Sequence, residues 1–318
     1  GRMLAGKMEP FYRYKTFMIE TYGAPLYRVP LDLGLGCPHR RPDGSGGCTF
    51  CPEHGSRALQ TLGCDALEEQ VRRGITFARR RYGAERFMAY VQAFTGTLAP
   101  VEWQAELYKG LLQLYPFEAV SIGTRPDCLP PAVLDFLVTL TQRVELWIEL
   151  GVQTIHDATL RRVQRGHDWA CSRRAVAALH ARGIRTAVHV ILGLPGETRE
   201  HFRRTAEALA RLPIDAVKIH NLHVVQHTQL AEQYRADPFP VFDEETYAQV
   251  LIDFLRRLPA GLPIMRVTTD TAKEDLVAPR WDLDKARFLD YLRTTMQARG
   301  VRQGDLARPR NGRFHTRP

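Results

Sequence analysis

The sequence predicts an α/β fold in which a parallel sheet curls into an open, partial barrel of six βα units. Apolar runs with strand character alternate with helical patterns along most of the chain, which is typical of a parallel sheet. Six units are too few for a closed eight-stranded barrel. Beyond them, further helical patterns predict a C-terminal helical extension. The 318 residues are 44% hydrophobic, enough for a large core in one α/β domain or in two smaller ones.

The predicted strands are short apolar runs at residues 27–33, 86–94, 119–123, 144–152, 186–192 and 216–223. Helical spacing between them predicts helices at residues 65–82, 101–115, 131–142, 156–182 with a break near Gly166, and 198–212. In the last of these, Phe202, Ala206 and Leu209 recur at helical spacing, and Pro213 follows as a stop. A helix at 243–258, an apolar run at 264–267 and an amphipathic helix near 282–299 complete the chain.

Three cysteines lie in the glycine-rich loop that follows the first strand. Cys37, Cys48 and Cys51 have the spacing Cys-x10-Cys-x2-Cys, with no obvious fourth ligand. Three thiolates can hold a [4Fe–4S] cluster by three of its irons and leave the fourth iron open to a ligand. A closed site with four ligands would instead be structural. The spacing therefore favours a cluster that takes part in chemistry.

Two other interpretations of the cysteines are open on spacing alone. Zinc would be bound by the three thiolates together with His39 or His54, because Cys-x2-Cys is also half of a zinc site. A disulfide is less favoured, because nothing else in the sequence is typical of a secreted protein. The remaining cysteines are isolated, and we expect them to be small buried hydrophobic residues: Cys64, Cys128 and Cys171.

The motif resembles that of the radical S-adenosylmethionine (SAM) enzymes, in which Cys-x-aromatic-Cys ends the triplet, as Phe50 and Cys51 do here. The long first gap resembles the branch that contains the elongator catalytic subunit and the bacterial YhcC/YtqA-like proteins. Segments throughout residues 11–297 are similar to the latter: residues 29–34, 46–51, 121–129, 149–154, 165–168 and 189–197. The resemblance implies that the partial barrel is of the radical SAM kind, with functional loops at the carboxyl ends of its strands.

The resemblance also implies the chemistry. Cys37, Cys48 and Cys51 would bind the cluster, and the amino and carboxylate groups of SAM would chelate the open iron. A one-electron donor such as flavodoxin or ferredoxin would reduce the cluster, and SAM would be cleaved to a 5′-deoxyadenosyl radical that takes a hydrogen atom from the substrate. In such a system the cofactor supplies the difficult step, and the protein supplies binding, orientation and exclusion of water.

The resemblance places SAM contacts on residues that end or follow successive strands: Phe50, Thr95, Gly96, Thr97, Arg125, Asp127, Glu149, Gln153, Val190 and Leu192. Phe50 would pack on the adenine, and the backbone of residues 190–192 would pair with its edge. The Arg125 guanidinium matches the fork of the SAM carboxylate, although an internal ion pair with Asp127 is an equal alternative. Glu149 lies between apolar neighbours, where a carboxylate without a partner would be costly to bury.

Basic side chains on the last two strands are candidates for catalysis. A period of two puts Lys218 and His220 on one face of the sixth strand and His223 on the other, with His189 on the fifth strand. We expect Lys218, His220 and His189 to face the barrel interior and the substrate. Purely structural histidines are the alternative. Motifs of rival systems, such as Ser-His-Asp order or His-Glu-x-x-His, do not occur.

The net charge of +9, from 44 Lys and Arg against 35 Asp and Glu, favours a polyanionic partner. A composition that simply prefers arginine is the alternative. Together with the elongator-like spacing, the charge suggests that the substrate is tRNA, at the side chain of the wobble uridine. A small-metabolite substrate and a non-catalytic, zinc-stabilised RNA-binding protein are the other hypotheses.

The domain prediction divides the chain into a leader at residues 1–10, a barrel at 11–225, an extension packed on it at 226–299 and a disordered basic tail at 300–318. The leader has no signal-peptide core. Because no apolar run approaches about 18 residues, we expect no transmembrane helix. The cysteine usage suggests a reducing compartment, and we expect a cytoplasmic protein.

Overall fold

The computed structural model describes residues 9–41, 43–53, 55, 61 and 63–307. Its strands are β1 (Tyr27–Leu31), β2 (Phe87–Val91), β3 (Ala119–Thr124), β4 (Glu145–Gln153), β5 (Arg185–Leu192), β6 (Ala216–Asn221), β7 (Val224–Val225), β8 (Ile264–Arg266) and β9 (Leu276–Ala278). Seven of them form one parallel sheet in the order β1-β2-β3-β4-β5-β6-β8. In the part of the chain described, the edge strands β1 and β8 do not pair, so the barrel is open.

The helices are α1 (Tyr14–Tyr22), α2 (Leu67–Tyr82), α3 (Val101–Leu114), α4 (Pro131–Thr141), α5 (Asp157–Arg162), α6 (Trp169–Ala181), α7 (Arg199–Leu209), α8 (Gln229–Ala236), α9 (Glu244–Arg257) and α10 (Lys285–Ala298). Aspartates begin several of them by accepting a hydrogen bond from a first-turn amide, which satisfies a donor that the helix itself leaves free. These caps are Asp168 before α6, Asp243 before α9 and Asp284 before α10.

The predicted partial barrel is confirmed, with one more strand than the six expected. The extra strand, β8, comes from the predicted C-terminal extension and pairs with β6. The expected sixth strand at 216–223 ends at Asn221. The break predicted near Gly166 is confirmed, because the helical stretch at 156–182 is two helices, α5 and α6. Helices α1 and α8 and the small antiparallel pair β7–β9 were not predicted.

Alternation along each strand separates two sets of side chains. One set faces the helices and forms the main core, exemplified by Val120, Ile148 and Val188. The other set faces the barrel interior. At its amino end, this interior is closed by α1, because Met18, Tyr14 and Phe17 pack on Trp147 of β4 and its neighbours. The opposite, carboxyl end of the barrel holds the loops that carry the predicted site.

The first part of the predicted disordered tail is ordered, so that prediction is wrong for residues 300–307. The Gln303 side chain is buried, and it accepts from the Tyr12 amide at 2.9 Å and donates to the carbonyls of Pro259 and Leu262 at 2.6 and 2.8 Å. The Leu306 amide donates to the Arg256 carbonyl. These hydrogen bonds order the segment, although its sequence has no apolar periodicity. Residues 308–318 of the tail and 1–8 of the leader lie outside the described residues.

Of the helices described, none combines the length and the apolar character needed to cross a membrane.

Candidate active site

The described residues between Cys37 and Cys48, 38–41 and 43–47, pair with each other as a hairpin. The Arg41 amide donates to the Ser45 carbonyl at 2.8 Å, and the Gly47 amide donates to the His39 carbonyl at 2.7 Å. Gly46 has a φ of 83°, and a Cβ there would lie 2.7 Å from the His39 carbonyl oxygen. Glycine is therefore required for the turn, and the pairing brings the segment after Cys37 alongside the segment before Cys48.

Arg40 holds the segment around Cys51 in place. Its guanidinium donates to the carbonyls of Cys51, Pro52 and Glu53 at 2.9, 2.5 and 2.9 Å. Burial raises the pKa of the Cys51 thiol; Arg40 opposes this, and the nearby Cys48 and Cys37 raise the pKa further. The three sulfurs thus lie within electrostatic reach of one another, and all three cysteines are free.

Two buried arginines point at the sulfur of Cys48. Arg165 Nη1 lies 3.3 Å from Cys48 Sγ, and Arg125 Nη1 lies 3.8 Å from it. Both residues are almost completely buried, with 6% and 3% exposure. Arg165 also donates to the Gly151 carbonyl at 2.5 Å, and Arg125 donates to the Arg165 carbonyl. Two buried cations therefore face one sulfur.

Arg165 is a site residue that the sequence analysis did not identify. The resemblance of residues 165–168 to the family was the one sequence signal that could have identified it. Its contact with Cys48 could not be predicted, because the two residues are 117 positions apart in the chain. A Cβ on Gly166, whose φ is 79°, would lie 2.4 Å from the His39 ring. The glycine therefore lets the cysteine hairpin pack directly on the segment that carries Arg165.

Asp127 joins Arg125 to the hairpin. The Arg125 guanidinium donates to both Asp127 carboxylate oxygens, at 2.9 and 3.1 Å, and His39 Nε2 lies 2.8 Å from Asp127. Burial alone would raise the pKa of Asp127, but the hydrogen bonds from Arg125 and His39 lower it. The ion pair considered from the sequence is thus present. A contact of Arg125 with the SAM carboxylate stays a prediction.

These contacts do not test the zinc interpretation, which stays an alternative. His39 is engaged by Asp127, and His54 lies outside the described residues. Among the side chains that the structure describes, no group of three or more His, Cys, Asp and Glu is placed to hold a single metal ion.

The loop after β2 is tied tightly to β3. The Gly96 amide donates to the Gly123 carbonyl at 2.9 Å, and a Cβ on Gly96 would lie 2.6 Å from Ile122. The Thr97 hydroxyl lies 2.6 Å from the Thr124 hydroxyl and donates to the Cys128 carbonyl at 2.7 Å. Thr95 is also buried. The predicted segment 95–97 therefore lies at the mouth of the barrel, with its side chains turned into the protein.

Gln153 ends β4 in a strained backbone conformation, with a φ of 71°. Non-glycine residues in the left-handed region are uncommon and concentrate at functional sites. Its Oε1 atom is buried and has no hydrogen-bond partner among the described residues. A Cβ on Gly151 would lie 2.7 Å from Arg165 Nη2 and 3.0 Å from Gln153 Nε2. Gly151 thus makes room for both side chains beside Cys48.

The residues predicted to bind adenine are near one another. Phe50 packs against a small apolar cluster at the carboxyl end of the barrel that includes Ile191 of β5. Val190 and Leu192 on either side face the helices as part of the main core. Any contact of these two with a ligand therefore involves their backbone, as expected from the sequence.

Deeper in the barrel, polar side chains from all seven strands of the parallel sheet form what we call the inner polar layer: Arg28, Tyr90, Ser121, Glu149, His189, Lys218, His220 and Arg266. Glu149, which is 5% exposed, is its centre. It accepts from Arg28 at 2.6 Å, Lys218 at 3.0 Å, Tyr90 at 3.1 Å and Ser121 at 2.9 Å.

These contacts fix the charge of Glu149. Burial would raise its pKa, but Arg28 and Lys218 hold the pKa well below its ordinary value. Lys218 also donates to the Tyr90 hydroxyl at 2.7 Å, and the Arg28 guanidinium lies 4.5 Å from the centre of the Tyr90 ring. Both Glu149 oxygens are therefore engaged, and its contact with SAM stays a prediction.

The predicted catalytic histidines are brought together on the inner face. The rings of His189 and His220 are 4.0 Å apart, and Arg266 Nη1 lies 3.4 Å from His220 Nε2. Burial, with nearby Lys218, lowers the pKa of His189, and burial with nearby His189 lowers the pKa of His220, so both are neutral at neutral pH. His223 lies beyond β6 and contacts the Thr271 hydroxyl at 2.9 Å.

The residues present fit a three-thiolate cluster site. Three thiols lie in one loop, two buried cations face one of them, and Gln153 has a buried Oε1 atom without a partner among the described residues. Such a donor set suits an iron–sulfur cluster held by three cysteines.

Comparison with known proteins agrees with this geometry. The model of the radical SAM superfamily matches residues 32–209, and the model of the radical SAM C-terminal domain matches residues 214–298. YtqA of Bacillus subtilis is 36% identical over 298 residues, covering 92% of both chains. YhcC of Escherichia coli K12 is 33% identical over 294 residues, covering 92% of this chain and 94% of YhcC.

More distant matches extend the comparison. A tRNA uridine(34) acetyltransferase of Methanocaldococcus infernus is 26% identical over 188 residues, 58% of this chain and 34% of the enzyme. The solved structure of Methanocaldococcus infernus Elp3 with an N-terminal deletion matches with a TM-score of 0.65 and 20% identity, covering 74% of this chain and 59% of that one. At that identity the structural match shows a common fold.

Proposed function

Because the chain belongs to the radical SAM superfamily, whose members use a [4Fe–4S] cluster and SAM, we propose that Cys37, Cys48 and Cys51 bind the cluster. When bound, the cluster and SAM supply a reductive cleavage that produces a 5′-deoxyadenosyl radical. The observation that supports the proposal is the paired loop between Cys37 and Cys48, together with the two buried arginines that face the Cys48 sulfur.

The residues around the cluster have separate roles in this proposal. Arg165 and Arg125 hydrogen-bond to the sulfur of Cys48 and so tune the cluster that it holds. Gln153 presents its free Oε1 to the SAM amino or ribose groups, and the backbone at Gly96 approaches the amino group. Phe50 and the β5 backbone enclose the adenine and exclude water. The remaining predicted contacts complete the shell: Thr95, Thr97, Asp127, Glu149, Val190 and Leu192.

We further propose that the substrate is tRNA, at the side chain of the wobble uridine, in a transferase or oxidoreductase reaction. The net charge of +9 and the similarity to tRNA uridine(34) acetyltransferases support this choice. Inner-face Lys218, His220 and His189 are then the residues nearest to a nucleobase that enters the barrel, where each supplies a hydrogen bond or a proton.

The test is to compare the nucleosides of tRNA from cells with and without the gene by mass spectrometry, and to incubate the reconstituted protein with that tRNA under reducing conditions. The proposal expects one missing wobble-uridine product in the deletion strain and formation of 5′-deoxyadenosine that increases with unmodified tRNA. Identical nucleoside profiles and no stimulation by tRNA would contradict the tRNA assignment. Cleavage of SAM without tRNA would still support the cluster assignment.

A further inference from the structure

The inner polar layer carries more positive charge than its own residues neutralise. The layer contains three basic side chains, Arg28, Lys218 and Arg266, and a single carboxylate, Glu149. The balance is three positive charges against one negative, a surplus of +2. Arg266 forms no ion pair with any acid that the structure describes, and its contact is the neutral ring of His220. Buried or half-buried charge without a partner is unfavourable, so this surplus requires a counter-charge.

Hydrogen-bonding groups in the same layer are also unsatisfied. His189 Nε2 is buried and has no hydrogen-bond partner within the described chain. The His189 and His220 rings lie in contact, and both stay neutral, so each ring carries one N–H that can donate. His189, His220, Arg28 and Arg266 are only partly buried. The face is therefore reachable from the barrel interior, unlike the sealed pair of Lys218 and Glu149.

Two other arginines on the inner face have acidic partners. At the amino end of the same inner face, Arg185 is paired with Glu145, so that level is balanced. At the carboxyl end, Arg125 is paired with Asp127, and Arg165 faces Cys48. Glu149 and Gly151 are two residues apart on β4, which places the layer about 7 Å below the Gly151 and Arg165 level.

We propose that the inner polar layer binds a carboxylate or phosphate group of the substrate, with Arg266, His189 and His220 as its contacts. The proposal rests on the proposed function, because it places the anion about one layer below the SAM site and so within reach of a radical formed there. A carboxylate or phosphate supplies several acceptor oxygens and negative charge together, which is what the unpaired Arg266 and the imidazole donors require.

The experiment is calorimetric titration of the reconstituted protein, without SAM, with inorganic phosphate, acetate and uridine 5′-monophosphate at low salt. Arg266→Met should weaken binding of the preferred anion by about tenfold or more, because it removes a charge-assisted contact. This variant leaves no buried acid without a partner, so folding is expected to survive. Arg185→Met, a cation on the same inner face at the balanced level, should leave binding unchanged.

A third variant gives a change of opposite sign. Glu149→Gln removes the one negative charge of the layer, so it should tighten anion binding, which a loss of folding cannot do. No saturable binding of the three probes would overturn the proposal. So would equal losses in Arg266→Met and Arg185→Met, or weaker binding in Glu149→Gln with its fold intact.

Competition with tRNA identifies the source of the anion. If the group belongs to tRNA, the bound probe is displaced by tRNA, and Arg266→Met weakens both ligands. If the anionic group belongs to a free metabolite, tRNA does not displace the bound probe. That result would contradict tRNA as the substrate and would still support the anion site. The proposed cluster is judged separately, by the iron content and SAM cleavage of the unsubstituted protein, so the two proposals can fail independently.

Discussion

Replacing Glu149 with alanine should destabilise the fold far more than replacing any exposed acid. The carboxylate is 5% exposed and is bonded to Arg28 at 2.6 Å and Lys218 at 3.0 Å, with further bonds from Tyr90 and Ser121. Its removal leaves two cations without their anion inside the barrel. Breaking a buried ion pair by removing one partner costs about 3–5 kcal/mol. With an unfolding entropy of about 2.1 cal/mol/K per residue, this corresponds to a loss of about 5–8 °C in Tm.

The matched control is Glu145→Ala on the same strand. Glu145 and Arg185 also form an ion pair on the inner face, but their side chains are 35% and 25% exposed. Solvent screening limits such a pair to about 1 kcal/mol or less. Thermal or urea denaturation of both variants in the same metal state measures the difference. Equal destabilisation of Glu149→Ala and Glu145→Ala would refute the view that Glu149 organises a buried layer.

The same reasoning gives a pH dependence. The pKa of Glu149 is lower in the folded protein than in the unfolded chain, so its stabilisation is fully present above the unfolded pKa of about 4.3 and is lost as the pH falls. The stability difference between the unsubstituted protein and Glu149→Gln should therefore shrink below about pH 4. A difference that is constant from neutral to acid pH would contradict the assigned ion pairs.

Three other predictions concern the cofactors and the tRNA. Gln153→Ala and Glu149→Ala should each weaken SAM binding while leaving the iron content intact. Equilibrium binding and iron assays measure the two quantities. Unchanged SAM affinity in both variants would show that neither residue contacts SAM. Arg165→Gln should make the reduction potential of the cluster more negative, because a cation and a hydrogen bond to a ligand sulfur favour the reduced state. A redox titration followed by electron paramagnetic resonance measures the potential. An unchanged potential would contradict the contact of Arg165 with Cys48. Deleting residues 308–318 removes four arginines. The magnitude of the slope of log K for tRNA binding against log salt concentration should fall by up to about 3.6, at about 0.9 per phosphate contact, while SAM cleavage without substrate survives. An unchanged slope would exclude this segment from tRNA binding.

The sequence predicted the features that depend on local pattern. Alternating βα periodicity identified six strands of the sheet, and the cysteine spacing identified the loop after the first of them. The same local logic explains an omission: Tyr14, Phe17, Met18 and Tyr22 recur at helical spacing and form α1, a pattern that was present but was not used. β8 has only three residues, too few for a period to be recognised.

Features that depend on long-range contacts were not predictable in this way. The partners of Glu149 come from β1, β2, β3 and β6, and no local pattern shows that their side chains converge. The ordering of residues 300–307 depends on Gln303, whose partners lie more than 40 residues away. A polar, glycine-containing segment is typical of a disordered terminus. Here the three hydrogen bonds of the Gln303 side chain order the segment.

The central claim, that three cysteines of one loop hold a cluster that cleaves SAM, has a direct test. The protein is reconstituted anaerobically and reduced, and its iron and 5′-deoxyadenosine are measured for the unsubstituted chain, for Cys48→Ala and for Cys128→Ala. The account expects about four irons per chain and slow 5′-deoxyadenosine formation in the first and third proteins, and neither in the second. Retention of the cluster and of SAM cleavage by Cys48→Ala, or loss of the cluster by Cys128→Ala, would contradict it.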